Sequence, residues 1–440
     1  MNQVQFATAV LLAGLTIPSL GHASVINPIG DHLINPQTVS ETIICKNSRN
    51  KPESINKPTV IMISIDGFRA DYMQKIKPPF LSQLSKLGSY APTMRPSFPT
   101  HTFPNHYTLI TGRVPGTHGI VSNKFFDKKR NEFYNFMEPK SSNDGSWYSG
   151  EPLWNVAERN GMIAHSFHWV GSEANINNMT PTCYAVFDGN ITPEQKVSTV
   201  MDWLKLPSEK VPHFITLYFS NVDSAGHKYG PDSQEVKSSL LEIDQQIERL
   251  WKYARSKKNN NVNFVIVSDH GMKQLDPNNV IYLSHYTNVD EFTVGERGAV
   301  AMLYSNDTTK IQRAYLDLKK IESHYKVYLK ENLPPEYKLT YPDRVGDIVV
   351  VGDIGYYIID RSFTDKPSLN AATHGWSYMH NEMKALFVAE GPQIAKKKLI
   401  PEFQNIDVYP FVMNILGITT TVAFDGNPKT LLPYIIKKKK

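Results

Sequence analysis

Six residues of this chain pair metal-binding side chains with one recurring kind of position. Asp66, Asp223, His227, Asp269, His270 and His374 each lie at or near a turn after an apolar run. Each also has a glycine nearby: Gly67, Gly226, Gly271 or Gly375. Glycine lets a backbone bend sharply and carry a neighbouring side chain into a site. Three carboxylates, three imidazoles and one hydroxyl suffice for two metal ions in mixed nitrogen and oxygen coordination. That donor set suits zinc and is compatible with manganese or iron. Two such ions can clamp the attacking and leaving oxygens of an in-line phosphoryl displacement. Taken singly, Asp66-Gly67 reads as a turn and His374 as a polar loop residue. The run Ser268-Asp-His-Gly-Met272 says more, because adjacent Asp and His at a strand end need an irregular turn.

The hydroxyl of interest is Thr102. In Thr102-Phe-Pro-Asn-His106, Pro104 followed by Leu109 and Ile110 predicts a helix whose N-terminus is at Thr102. Unpaired N–H groups and the positive dipole end favour an alkoxide and a phosphate at that point. A threonine hydroxyl is a weak nucleophile until metal coordination lowers its pKa. Without the six ligands, Thr102 would read as a helix cap. Thr100 is a second hydroxyl in the same run.

The elements that must position these groups alternate. Thr59–Ile65 reads as a buried strand ending at Asp66. Phe80, Leu81, Leu84 and Leu87 recur at helical spacing and stop at Gly88. Phe214–Phe219 is a strand leading to Asp223, and Val236, Leu240, Ile243, Ile247, Leu250 and Ala254 mark one face of a helix. Phe264–Val267 is a strand ending at Ser268-Asp269-His270, Ala385–Val388 another, and Val408–Leu416 a helix closed by Gly417. Strand, helix, strand, helix predicts an α/β fold, a mostly parallel sheet with helices on both faces and its site at the strand carboxyl ends. Residues 290–370 break the rhythm and read as an α+β insertion.

At 440 residues the chain can bury a large core, and its 41% hydrophobic content argues against disorder. The net charge of +5 is mostly the run Lys437–Lys440, so it says little about nucleic acid. An apolar run from Phe6 to Leu20, ending at Gly21-His-Ala23, reads as a signal peptide over 1–23. It is too short for a comfortable span, and no later run reaches the roughly 18 apolar residues a spanning helix needs. A polar leader (24–57), a catalytic domain (58–435) and a basic tail (436–440) complete the expected organisation. Export, to a periplasm or outside the cell, would permit Cys45 and Cys183 to pair; spacing alone leaves a disulfide and two thiols equally open.

Longer motifs make the assignment specific. Met94-Arg-Pro-Ser-Phe-Pro-Thr-His-Thr-Phe-Pro-Asn-His-Tyr107, Thr111-Gly112 and His118-Gly-Ile-Val-Ser-Asn123 resemble the nucleotide pyrophosphatase/phosphodiesterase family of the alkaline phosphatase superfamily. Ile65-Asp-Gly-Phe-Arg-Ala70, Asn221-Val-Asp-Ser-Ala-Gly-His227, Val267-Ser-Asp-His-Gly-Met272 and Thr373-His-Gly375 extend the resemblance. It implies an alkaline-phosphatase-like fold and two zinc ions per chain. Asp66, Thr102, Asp269 and His270 would hold one ion; Asp223, His227 and His374 would hold the other. It further implies that Thr102 attacks phosphorus, forming a phosphothreonine that water hydrolyses, and that Asn123 donates to a non-bridging oxygen. A neutral donor there suits a singly charged diester, and no sulfatase-type nucleophile run occurs. The segment Ser172–Gly189, kept by nucleotide-cleaving members, implies a nucleotide or nucleotide derivative as substrate. By the same match Phe103 and Tyr184 would sandwich the base and Tyr218 would line the pocket. A phospholipid or choline diester on the same metals is the alternative.

Overall fold

The computed structural model describes residues 39–256, 261–361 and 369–436. The expected signal peptide, the first part of the leader and Lys437–Lys440 lie outside the described residues.

At the centre is the strand Thr59–Ile65, buried at every position. Its side chains alternate between two cores. Ile61, Ile63 and Ile65 point into one, together with Leu240, Ile243 and Ile247; Val60 and Met62 point into the other, with Val408, Phe411 and Val412. A strand covered on both faces carries a continuous apolar run rather than alternation, as this one does. Parallel neighbours flank it: Phe214–Phe219 on one side and Val262–Val267 on the other. Ala164–Phe167 and Cys183–Ala185 extend the parallel part beyond Phe214–Phe219. On the far side Ala385–Glu390 runs antiparallel between Val262–Val267 and Ser89–Arg95. Among the described residues the sheet has ten strands and is mostly parallel, as expected.

The predicted helices form. Pro79–Leu87 is capped by Gly88, Gln234–Arg255 buries the six apolar positions named above, and Val408–Leu416 ends at Gly417 in the left-handed region. Ser233 accepts from the Val236 N–H and so caps the long helix.

One local feature differs from expectation. The leader is not irregular throughout: Ile43–Cys45 is an edge strand, antiparallel to Cys183–Ala185. Three residues are too few for periodicity to reveal. Cys45 and Cys183 face each other across that pair and are joined by a disulfide, S–S 2.08 Å. Within 290–370, strands Thr293–Val294, Val300–Tyr304, Ile348–Gly352 and Tyr325–Leu329 form a separate antiparallel sheet. Helix Thr308–Ile321 packs Ala314 and Leu318 onto it.

Candidate active site

The three central parallel strands all run toward the same end, and their carboxyl ends deliver the acids. Asp66 follows Ile65 directly. Gly67 behind it has φ +67°, and a Cβ there would lie 3.0 Å from Asp223 Cβ, so the turn needs glycine. Asp269 and His270 follow Val262–Val267 in an irregular segment. Asp223 and His227 lie not on a turn but on the helix Asn221–Tyr229, one helical turn apart and therefore on one face. His374 follows the two-residue strand Ala372–Thr373. Gly375 after it has φ +117° and leaves room for His101, whose Nε2 would sit 2.3 Å from an added Cβ.

Thr102 is the first residue of the helix Thr102–Thr111, with His101 as its cap residue and Pro104 in the first turn. Its Oγ1 lies 3.1 Å from His270 Nε2. The rival hydroxyl is committed elsewhere: Thr100 Oγ1 donates to Trp376 O at 2.8 Å and accepts from Gly375 N–H at 3.0 Å.

The imidazoles share one arrangement. His227 Nδ1 donates to Ala372 O, His270 Nδ1 to Gly271 O and His374 Nδ1 to Thr100 O, each at 2.8 Å. A ring that donates from Nδ1 keeps a bare lone pair on Nε2. These lone pairs face carboxylate oxygens. His270 Nε2 is 3.0 Å from Asp269 Oδ2 and 3.4 Å from Asp66 Oδ1. Asp223 Oδ1 lies 3.4 Å from His227 Nε2 and 3.7 Å from His374 Nε2. Asp66 Oδ1, Asp223 Oδ1 and Asp269 Oδ2 are buried and find no hydrogen-bond donor among the described residues. Buried lone pairs facing one another are costly unless a cation lies between them. The donor set therefore fits a metal. Asp223, His270 and His374 form one close group of candidate ligand atoms, and Asp66, Asp269 and His106 another. His270 stacks on His374 at 3.5 Å and thus joins the two halves of the expected constellation.

The electrostatics reflect the same crowding: burial lowers His270, but the neighbouring Asp269 and Asp223 outweigh it and hold the imidazole above its ordinary range. Burial, then the neighbouring Asp269 and Asp223, raise the Asp66 carboxyl well above its usual range. Burial and the crowd of His270, His227 and His101 push His374 far down, keeping it neutral and available as a ligand.

Two supporting groups emerge from the structure: His106, to which the sequence assigns no role, and Tyr218, which the resemblance places in the pocket wall. His106, one turn along from Thr102, points Nδ1 at Thr102 O (2.9 Å) and Asp269 Oδ2 (3.3 Å). Its Nε2 accepts from the Ser64 hydroxyl at 2.8 Å and its Nδ1–H goes to Thr102 O, so it fixes the first turn of the helix beside Asp269 rather than offering a lone pair. Tyr218, expected to line the pocket, donates its hydroxyl to Asp66 Oδ2 at 2.5 Å. Its ring packs edge-on against His106.

Around the nucleophile, Asn123 Oδ1 accepts from the Phe103 N–H at 2.9 Å. The amide nitrogen, opposite that bond, makes no hydrogen bond among the described residues. Phe103 rests on Phe136, with ring centroids 5.3 Å apart. Tyr184 is half-buried on its strand, paired with Ile44 and Ser166, and makes no ring contact with Phe103 among the described residues. Three positions on, Phe187 is 53% exposed. Its N–H is held by Glu173 and its ring rests on His168, so the loop presents a fixed aromatic face.

Known proteins share this framework. The family model described as type I phosphodiesterase / nucleotide pyrophosphatase matches residues 60–377. Ectonucleotide pyrophosphatase/phosphodiesterase family member 1 of Homo sapiens is 32% identical over 379 residues, 84% of this chain and 41% of that protein. Venom phosphodiesterase of Naja atra is 32% identical over 378 residues, 83% of this chain and 45% of that one. The chain thus spans under half the length of these curated relatives. Among solved structures, human ectonucleotide pyrophosphatase/phosphodiesterase 5 aligns with TM-score 0.80 at 27% identity, covering 86% of this chain and all of that one. The murine counterpart, an inactive threonine-to-alanine variant in complex with AMP, aligns with the same score and coverage at 28% identity. This chain belongs to the type I phosphodiesterase / nucleotide pyrophosphatase family.

Proposed function

We propose that the protein is an exported two-zinc hydrolase that cleaves phosphodiester or pyrophosphate bonds of nucleotides and releases a nucleoside monophosphate. The observation that carries this reading is the set of bare Nε2 lone pairs facing orphaned carboxylate oxygens beside a helix-terminal hydroxyl.

Asp66, Thr102, Asp269 and His270 would hold one ion, and Asp223, His227 and His374 the other. Bound there, the ions would lower the pKa of the Thr102 hydroxyl and neutralise charge on the phosphate. The chain's own groups do the rest. Thr102 Oγ1 bonds to phosphorus as the bond from phosphorus to the departing oxygen breaks, leaving a phosphothreonine. Water then bonds to phosphorus, the bond to Oγ1 breaks, and the nucleoside monophosphate departs. The amide nitrogen of Asn123, left over from its bond to Phe103 N–H, would donate to a non-bridging oxygen, and the first turn of Thr102–Thr111 adds its positive dipole end. Phe103 and Tyr184 are proposed to hold the base, with Phe187 as a further exposed face in the same segment.

Export is supported by the apolar N-terminal run, by relatives named as ectoenzymes and a venom enzyme, and by the Cys45–Cys183 disulfide. Among the described residues no helix is long and apolar enough to cross a membrane.

The test is hydrolysis of the nitrophenyl ester of thymidine monophosphate and of ATP, before and after chelation and zinc add-back, with Thr102→Ala alongside. Loss on chelation, recovery with zinc and an inactive variant support the reading. Turnover of nitrophenylphosphorylcholine alone would move the substrate to choline lipids. Near wild-type turnover by Thr102→Ala would overturn the assigned nucleophile.

A further inference from the structure

The groups around Asn123 lead to a carboxylate from a distant part of the chain. Glu296 sits in the turn between strands Thr293–Val294 and Val300–Tyr304, in the separate antiparallel sheet. Its side chain is only 15% exposed, and Oε2 lies 3.7 Å from His101 Nδ1 at the start of the nucleophile helix. Glu296 Oε2 accepts from the Ser122 hydroxyl at 2.5 Å and from the Lys124 N–H at 3.3 Å, and Oε1 accepts from the Arg297 N–H at 3.1 Å. Glu296 therefore grips the chain on both sides of Asn123.

The directions of these bonds follow from the donors. Two backbone N–H groups can only donate, so the carboxylate is the acceptor throughout, and Ser122 spends its single proton on Oε2. The Ser122 oxygen is then left to accept from His101 Nδ1, 2.8 Å away. His101 is the cap residue of the nucleophile helix, and its carbonyl accepts from both the N–H and the side-chain amide of Asn105. One carboxylate thus fixes the residue before Thr102 through Ser122, and fixes Asn123 through its two neighbours. Asn123 in turn accepts from Phe103 N–H, the residue after Thr102. The nucleophile and the phosphate donor are locked to each other through Glu296.

We infer that Glu296 is a positioning residue for the phosphate site, holding the Asn123 amide and the start of the Thr102 helix in register. This rests on the proposed roles of Thr102 and Asn123. A buried carboxylate that merely ties two sheets together would affect stability alone. A group that sets the distance between nucleophile and donor acts on the reacting geometry, where a shift of about 1 Å can cost roughly 100-fold in rate.

The experiment is a double-mutant cycle on the full-length, zinc-loaded protein: wild type, Glu296→Ala, Asn123→Ala and the pair, with Glu296→Gln as the conservative variant. kcat and KM are measured on the nitrophenyl thymidine ester, the Kd of AMP by calorimetry, and the zinc content of each protein. Glu296→Ala should lower kcat/KM by about 10- to 100-fold, mainly through kcat, with zinc retained. Glu296→Gln should recover part of that loss, because one acceptor oxygen remains. In the Asn123→Ala background, removing Glu296 should cost at most a few-fold more. Losses that multiply independently, or a Glu296→Ala protein that is less stable yet turns over normally, would overturn the inference. If the wild type binds AMP without cleaving the ester, the proposed reaction fails while the cycle on Kd still decides the role of Glu296. A wild type that neither cleaves nor binds would overturn both.

Discussion

Replacing Tyr218 by Phe separates two roles for one ring. As a pocket wall, Tyr218 would touch the nucleotide, and losing its hydroxyl would raise KM. The structure instead points the hydroxyl at Asp66 Oδ2, 2.5 Å away, and burial beside Asp66 keeps the phenol protonated and donating. The ring's packing against His106 survives the change, as does the bond from Lys196 Nζ to the Tyr218 carbonyl. Only the hydrogen bond is removed, leaving Asp66 with both oxygens unpaired in a buried site. A hydrogen bond to a charged group contributes about 1.5–3 kcal/mol. At 1.4 kcal/mol per tenfold, that is about a 10- to 100-fold loss of zinc affinity at the Asp66 half. The assay titrates each protein against a chromophoric chelator and follows kcat and KM on the nitrophenyl thymidine ester at limiting and at saturating zinc. We expect weaker retention of one of the two proposed ions, a lower kcat at limiting zinc, and a KM within about twofold of wild type. Unchanged zinc retention with a raised KM would refute this reasoning and return Tyr218 to the pocket wall.

Three further outcomes follow from the same structure. Phe103→Ala should raise the KM for nucleotide esters by about tenfold, from the loss of one stacking face of about 1–3 kcal/mol. Tyr184→Ala and Phe187→Ala, measured alongside, show which second ring faces the base, and unchanged KM in all three would remove the base pocket. Exchanging both Cys45 and Cys183 for Ser opens a crosslink of sequence separation 138 and should cost about 2–5 kcal/mol in denaturant unfolding, with kcat little changed. Equal unfolding midpoints would show that the bridge contributes nothing. Acid should destabilise the fold well above the carboxylate range. Burial holds the His118, His165 and His168 imidazoles at about 3, whereas the unfolded chain protonates near 6.5. Their contribution is complete above about pH 6.5 and drains as pH falls toward 3, by about 1.4 kcal/mol per group and pH unit. Calorimetric Tm should therefore fall steadily between pH 6.5 and 4.5, and a flat Tm over that range would contradict it.

What could be read without coordinates, and what could not, divides along a physical line. The long elements announced themselves because burial imposes a period: Gln234–Arg255 through its apolar stripe, Thr59–Ile65 through its unbroken apolar run. Asp66, Asp269 and His270 were legible for the same reason, since each follows such an element within three residues and a glycine marks the exit. Asp223 and His227 were found as a pair but set on a turn. Their four-residue spacing fits a helix face equally well, and nine residues between Ser220 and Gly230 are too few to show a stripe. Ile43–Cys45 stayed hidden because an edge strand of three residues has no internal pattern; its partner, 138 positions away, defines it.

The supporting groups are a stricter case. Tyr218 and Asp66 are 152 positions apart, and Glu296 and Ser122 are 174 apart. A hydrogen-bonded brace needs only a donor or acceptor of suitable reach, so many residue types can serve, and nothing beside Glu296 in the chain marks it. A metal ligand is more constrained, because few side chains bind zinc and the site needs several at once. Ligands therefore leave a compositional signature along the chain, whereas the groups that orient them leave one only in space. The unequal legibility has a consequence for how this site can vary. Exchanging a ligand such as His374 removes a donor that few other residue types supply. Exchanging Tyr218 or Glu296 leaves all seven proposed ligands in place and alters how they are held. Rate and metal affinity can therefore drift through the braces while the seven positions stay unchanged.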